Sequence, residues 1–337
     1  MVIQEYKSLK HEHTFGIQAN ARYFIEIDRE EDVLTVLASL NEDHQPLLLL
    51  GDGSNILFTD NFPGTVIRLD TKGITIVEQD DESITIRVAA GEIWDEVVEY
   101  CVQKGWGGVE NLSLIPGRMG ASPIQNIGAY GVELKEVLQE VDTVHLTTHE
   151  QRTFSRDDCR FGYRESIFQK KLRGQYLITS VTLRLDKRPV LKLAYGSIKL
   201  ELDRSGISSP TIQDVRDVVC RIRKNKLPDP AVAGNAGSFF RNPVIRSDQF
   251  VRLKNQYPDI VNYADPNGVK LAAAWLIDQC HWKGKRTGDA GVHPDQPLVL
   301  VNYGNATGQE ILTLASLIRQ SVLARFGILL DPEVNIL

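Results

Sequence analysis

Apolar and polar residues alternate over residues 65–69, 74–78 and 84–89, the two-residue period of strands with one face covered. Upstream, Val33, Leu34 and Leu37 recur at helical spacing within residues 25–41, on an acidic helix. Gly91 opens a second helix whose Trp94, Val97, Val98 and Cys101 share one face. Strand patterning returns at 141–147 and 176–185, and a helix over 214–224 gathers Val215, Val218, Val219 and Ile222 on one side. Further on, the pattern predicts helices over 270–280 and 307–326 and strands over 238–245, 298–302 and 333–336. The expected class is α+β, with antiparallel sheet and a few helices first and an α/β layer after a boundary near residues 186–205. No internal repeat or heptad run interrupts this order.

Two glycine-rich stretches break the periodicity. Residues 46–58, PLLLLGDGSNILF, read as a buried strand, a turn of Gly51, Asp52, Gly53, Ser54 and Asn55, and a second apolar run. Successive amides in such a turn form a concavity suited to anions. Residues 112–131, LSLIPGRMGASPIQNIGAYG, carry four glycines and two prolines, with Arg118 as the single basic residue and no acidic one. Small residues let backbone approach a bound group, and Gln125 and Asn126 offer donors and acceptors, which suits a flat phosphorylated cofactor. A crowded turn in a β-rich core is the other reading of that stretch, and the first turn tips the balance toward a cofactor. No G-x-G-x-x-G opens a helix, so a phosphate held here would lie outside a Rossmann crossover.

The length of 337 residues suits two domains, and the hydrophobic and charged fractions are ordinary for a globular chain. A formal net charge of -6 lacks the basic excess that nucleic acid requires. No stretch approaches a membrane span or a signal peptide, so a cytoplasmic protein without membrane insertion is expected. Cys101, Cys159, Cys220 and Cys280 lie far apart and read as reduced packing residues. The histidines have no metal-ligand spacing, so no metal is expected, and His281 and His293 read as local hydrogen-bonding groups.

Three further places carry chemistry. Ser238 follows Gly237 within GNAGSFFRNP, but Phe240 stands where a nucleophile elbow needs glycine. Arg164 has the fork that grips a carboxylate, although pairing with Glu165 is the ordinary alternative. Glu333 follows a proline near the last residues. Lys226 and Tyr195 flank the expected boundary, where ligands collect.

Taken together, GDGSN at 51–55, IPGRMGASPIQNIGAYG at 115–131, YRES at 163–166, LPDP and GNAGSFFRNP within 227–243, and PEV at 332–334 resemble the UDP-N-acetylenolpyruvoylglucosamine reductase family, in its longer form with segments around Tyr195 and Tyr263. The resemblance implies an FAD-binding region of the vanillyl-alcohol-oxidase type over residues 1–190, built of two α+β subdomains, and a C-terminal α/β substrate-binding domain over 206–337. It implies non-covalent FAD held by Gly51, Gly53, Ser54, Asn55, Gly120, Ser122, Gln125, Asn126 and Ile127. It implies substrate contacts from Tyr195, Lys226, Asn242, Tyr263 and Gln296. NADPH would reduce the flavin, which would pass hydride to the enolpyruvyl ether of UDP-N-acetylglucosamine, giving UDP-N-acetylmuramate for peptidoglycan. Arg164 and Glu333 would stabilise charge at the substrate carboxylate, with Glu333 useful only as a donating neutral acid, and Ser238 would supply the proton. Asp52 in the first turn and His13, where asparagine is common, depart from the family pattern.

The expected partners are therefore the UDP-sugar and NADPH, with no nucleic acid and no protein partner implied. The alternatives are an FAD-dependent alcohol oxidase of the same fold superfamily and a non-catalytic UDP-sugar or flavin sensor.

Overall fold

Alternating burial organises the sheets. Ser83–Ala89 lies inside a five-stranded antiparallel sheet, in the spatial order Gln151–Ser155, Leu138–His145, Tyr176–Asp186, Ser83–Ala89 and Ile74–Gln79. Its inward residues, among them Ile84, Ile86, Val88, Val141, Val181 and Leu183, pack against the Trp94–Gln103 helix through Trp94, Val97, Val98 and Cys101. The computed structural model describes residues 2–337. It falls into two units, one of residues 2–7, 21–52 and 63–225, the other of residues 8–20, 53–62 and 226–337.

The first unit has a second sheet of four strands, Ile3–Ser8, Asn20–Ile27, Phe62–Leu69 and Leu47–Leu49, the last two parallel. The Val33–Ser39 helix covers it with Val33, Val36 and Leu37, whereas Leu34, expected on that face, is exposed because the face is set by Val36. Two helices, Gly196–Arg204 and Ile212–Lys226, pack Ile198 and Leu202 against Val215, Val218, Val219 and Ile222. Arg216 ties this pair to the unit by a fork onto Asp95 at 2.7 and 3.0 Å, so residues 191–225 belong here. The first of these helices lies inside the 186–205 stretch, where the apolar pattern announces none.

The second unit is α/β and surrounds the 19-residue Gly308–Phe326 helix, opened by a Thr307–Glu310 capping box. Two expectations fail in it. Residues 268–271 form a strand, so the expected 270–280 helix begins only at Ala273. The expected 238–245 strand is laddered only at Val244–Ile245, with isolated bridges from Ser238 to Val299 and Phe240 to Pro332, because Gly237 turns the backbone into the left-handed region at φ 67°. All four cysteines are free, and burial pushes the Cys101 and Cys159 thiols up to about 12, leaving them protonated at neutral pH. Among the described residues no helix is long and apolar enough to cross a membrane.

Candidate functional site

In the first glycine turn, the amides of Gly51, Asp52 and Gly53 donate to no acceptor among the described residues. Gly53 is irreplaceable on two grounds: its φ is +58°, and a Cβ there would lie 2.3 Å from the Cβ of His13. His13 is buried, its Nε2 lies 3.0 Å from the Ile17 carbonyl, and its Nδ1 has no partner among the described residues. Burial holds its pKa below the usual histidine value, opposed by the Ile17 carbonyl. Thr14 donates its amide to the Gly53 carbonyl at 3.2 Å, so residues 13–14 brace the turn.

The second segment uses its amides internally. Gly120 donates to Ala90, Ser122 to Met119, Asn126 to Pro123 and Ile127 to Ser122, at 2.9 to 3.3 Å. The Ser122 hydroxyl also donates to the Met119 carbonyl at 2.6 Å. Asn126, fully buried, donates from Nδ2 to Glu133 and the Gly162 carbonyl, and its Oδ1 accepts from the Lys135 amide. Arg118, for which the sequence pattern indicates no partner, spans both stretches: its Nε donates to Asp52 Oδ1 at 2.7 Å, and its Nη1 to Asp70 and to the Leu69 and Gly91 carbonyls. A lone arginine in a neutral stretch and a carboxylate in a glycine turn were the signals for this pair.

Arg164 holds a left-handed backbone at φ 56°, a conformation that costs a side-chain-bearing residue about 1 kcal/mol. Its guanidinium donates to the Gly128 and Asn126 carbonyls, and a Cβ on Gly128 would meet it at 2.7 Å. Glu165, its expected ordinary partner, pairs with Lys170 instead.

The second unit brings Glu333, the residue next to Ser238 and the first turn into one ladder. Asn55 donates from Nδ2 to the Glu333 carbonyl at 3.4 Å, and Glu333 donates its amide to the Phe239 carbonyl at 2.8 Å. Asn335 closes the same stretch by donating its amide and side chain to the Asn55 carbonyl, both at 3.1 Å. Ser238 itself is exposed.

Of the expected substrate residues, Tyr195 is half exposed and meets Tyr130 edge-on at 5.3 Å in the first unit. In the second unit Lys226 and Tyr263 are exposed, and Asn242 accepts from the Ala273 amide at 3.0 Å through its Oδ1. Gln296 sits in a turn fixed by His293, whose Nδ1 accepts from the Asp295 and Gln296 amides at 3.2 Å. Arg223 also escaped the sequence reading: it donates to the Leu114 carbonyl at 3.2 Å, and burial lowers its pKa against the opposing effect of the Tyr130 hydroxyl.

Residues 21–152 match a family described as FAD binding domain, and residues 229–337 match the UDP-N-acetylenolpyruvoylglucosamine reductase C-terminal domain. The chain is 47% identical over 335 residues to the UDP-N-acetylenolpyruvoylglucosamine reductase of Pseudomonas aeruginosa, covering 99% of this chain and 98% of the other. It is 44% identical to that of Flavobacterium johnsoniae with full coverage of both. The crystal structure of the Thermus caldophilus reductase aligns over 100% of this chain and 99% of its own with a TM-score of 0.69 at 24% identity, a likeness of fold.

The first turn fits a flavin nucleotide on its own chemistry, since three successive amides without acceptors are the donor set that a pyrophosphate takes. Full-length identity and both domain matches converge: the chain belongs to the UDP-N-acetylenolpyruvoylglucosamine reductase family and is an FAD-containing oxidoreductase.

Proposed function

We propose that the protein reduces the enolpyruvyl ether of UDP-N-acetylglucosamine to UDP-N-acetylmuramate, with NADPH as the hydride source, in the cytoplasmic synthesis of peptidoglycan precursor. In this reading residues 1–190 hold FAD and 206–337 hold the UDP-sugar. FAD, when bound, supplies hydride to the substrate double bond. Gly51, Gly53, Ser54 and Asn55 hold its pyrophosphate, and Gly120, Ser122, Gln125, Asn126 and Ile127 act mainly as a wall, because most of their amides are used internally.

The arrangement that carries the reading is the Asn55–Glu333–Phe239 ladder, which ties the first glycine turn to the two residues suited to acid chemistry, Glu333 and Ser238. Reduction leaves negative charge beside the substrate carboxylate, so the transition state calls for a cation and a neutral donor there. Arg164 is the cation and protonated Glu333 the donor. Ser238, exposed and following a left-handed Gly237, delivers the proton to the carbon next to the carboxylate. Lys226 grips the diphosphate, and Tyr195, Asn242, Tyr263 and Gln296 complete the UDP-sugar contacts.

Stopped-flow measurement of the two half-reactions tests this. Ser238→Ala is expected to leave flavin reduction by NADPH unchanged and to slow reoxidation by the enolpyruvyl substrate by about 100-fold or more. Equal rates in both half-reactions would remove Ser238 from the mechanism.

A further inference from the structure

The first turn contains an electrostatic contradiction. Its amides suit an anion, yet Asp52 places a carboxylate among them. A fixed negative charge in a pyrophosphate turn repels the group that the turn is built to hold. Arg118 answers this contradiction. Only 13% of its side chain is exposed, and its Nε holds Asp52 Oδ1 at 2.7 Å while Nη1 is anchored to Asp70 and the carbonyls of Leu69 and Gly91. With Lys72 3.5 Å from Asp70 as a second cation, two positive groups balance the two carboxylates, so the Asp52 charge is compensated and its carboxylate fixed in one position.

On the reading that the first turn holds the FAD pyrophosphate, we infer that Arg118 is a positioning residue for the cofactor: it neutralises Asp52 and locks the glycine turn to the second glycine-rich segment. Burial works against the guanidinium charge, but the hydrogen bond to Asp70 and the charge of Asp52 more than offset it, and the pKa stands above the usual arginine value. The fork is therefore charged at neutral pH. A residue that merely filled space here would act on stability alone. A charge-cancelling residue acts on FAD affinity through Asp52, and that dependence is measurable.

The experiment titrates apoprotein with FAD, following flavin fluorescence, and records the apoprotein melting temperature beside each affinity. Arg118→Met is expected to weaken FAD binding about 100-fold by leaving the Asp52 carboxylate uncompensated. Asp52→Asn, which keeps Arg118 on Asp70 and removes one negative charge from the turn, is expected to tighten FAD about 5-fold at low ionic strength, an effect that salt removes. The double variant should return to within about 10-fold of the parent, because the repelling charge is gone. If Arg118→Met folds poorly, the Asp52→Asn titration and its salt dependence still decide the matter: no tightening overturns the inference. So does a double variant as weak as Arg118→Met. Gly51→Asp separates this failure from failure of the underlying reading, because a Cβ at Gly51 meets Ala121 Cβ at an ordinary 3.4 Å and the change adds charge without collision. If Gly51→Asp weakens FAD and the Arg118 series does not, only the inference falls. If neither alters FAD affinity, the turn is not the pyrophosphate site and both fall.

Discussion

The two glycine-rich stretches look alike in composition and differ in what their amides do. At residues 51–53 the amides have no acceptor among the described residues, whereas residues 119–122, 126 and 127 donate theirs to neighbouring carbonyls. One stretch presents three successive amides without an internal acceptor. The other is a rigid wall whose glycines permit close packing. Glycine content therefore does not identify a phosphate site; the hydrogen-bond account of each amide does.

Three substitutions break or sharpen that contrast. The largest effect is expected from Gly53→Ala, where the left-handed φ and the collision with His13 together cost about 3 kcal/mol or more. FAD retention on gel filtration and urea unfolding should both collapse, and a variant that folds and keeps its flavin would show that the turn tolerates rearrangement. Asn126→Ala comes next. It strands the Lys135 amide, whereas the Gly162 carbonyl keeps the Glu165 amide at 3.3 Å, at a cost of about 2 kcal/mol in apoprotein stability, while FAD affinity of the folded protein stays within about 3-fold. A larger loss of affinity than of stability would make the second stretch a donor set after all.

The smallest effect belongs to His13. Its folded pKa lies below the ordinary 6.5, so the unfolded chain binds more protons below that value. Stability is then complete above about pH 6.5 and falls as pH drops toward the folded pKa. His13→Asn should flatten this slope in urea unfolding between about pH 5 and 7, and identical slopes would mean that the imidazole next to Gly53 does not titrate with folding.

The sheets were legible because alternation over residues 84–89 encodes which face is covered, and because the apolar run over 176–185 suits a central strand buried on both faces. The Ser247–Gln256 helix was not, since it buries only Leu253, with Phe250 beside it against the core, a stripe too short to stand out among its polar residues. Residues 268–271 misled because Val269 and Leu271 suit a strand or the first turn of the following helix equally well, and the ladder with Asn262–Asp265 decides for the strand. Of the candidate site, the residue types were readable and the bonds were not. Arg118 and Asp52 stand 66 positions apart, Asn55 and Glu333 278, and no local pattern reports a pairing at such range. Arg164 was legible as a cation, but its grip on the carbonyls around Gly128 depends on a left-handed backbone that a single sequence does not disclose.

The second unit takes its core from three stretches of chain, with Phe15, Ile17 and Leu57 packed among residues from 236 onward, and Asn335–Ile336 laid parallel to Ile56–Leu57. A ribosome therefore makes the strand holding Ile56 and Leu57 long before the strand that must lie beside it. Until then those apolar residues wait without their permanent cover, exposed to chaperones or to misassociation. Nor is residue 226 a place to cut: a fragment beginning there would lack three of its own core side chains and leave their apolar neighbours bare.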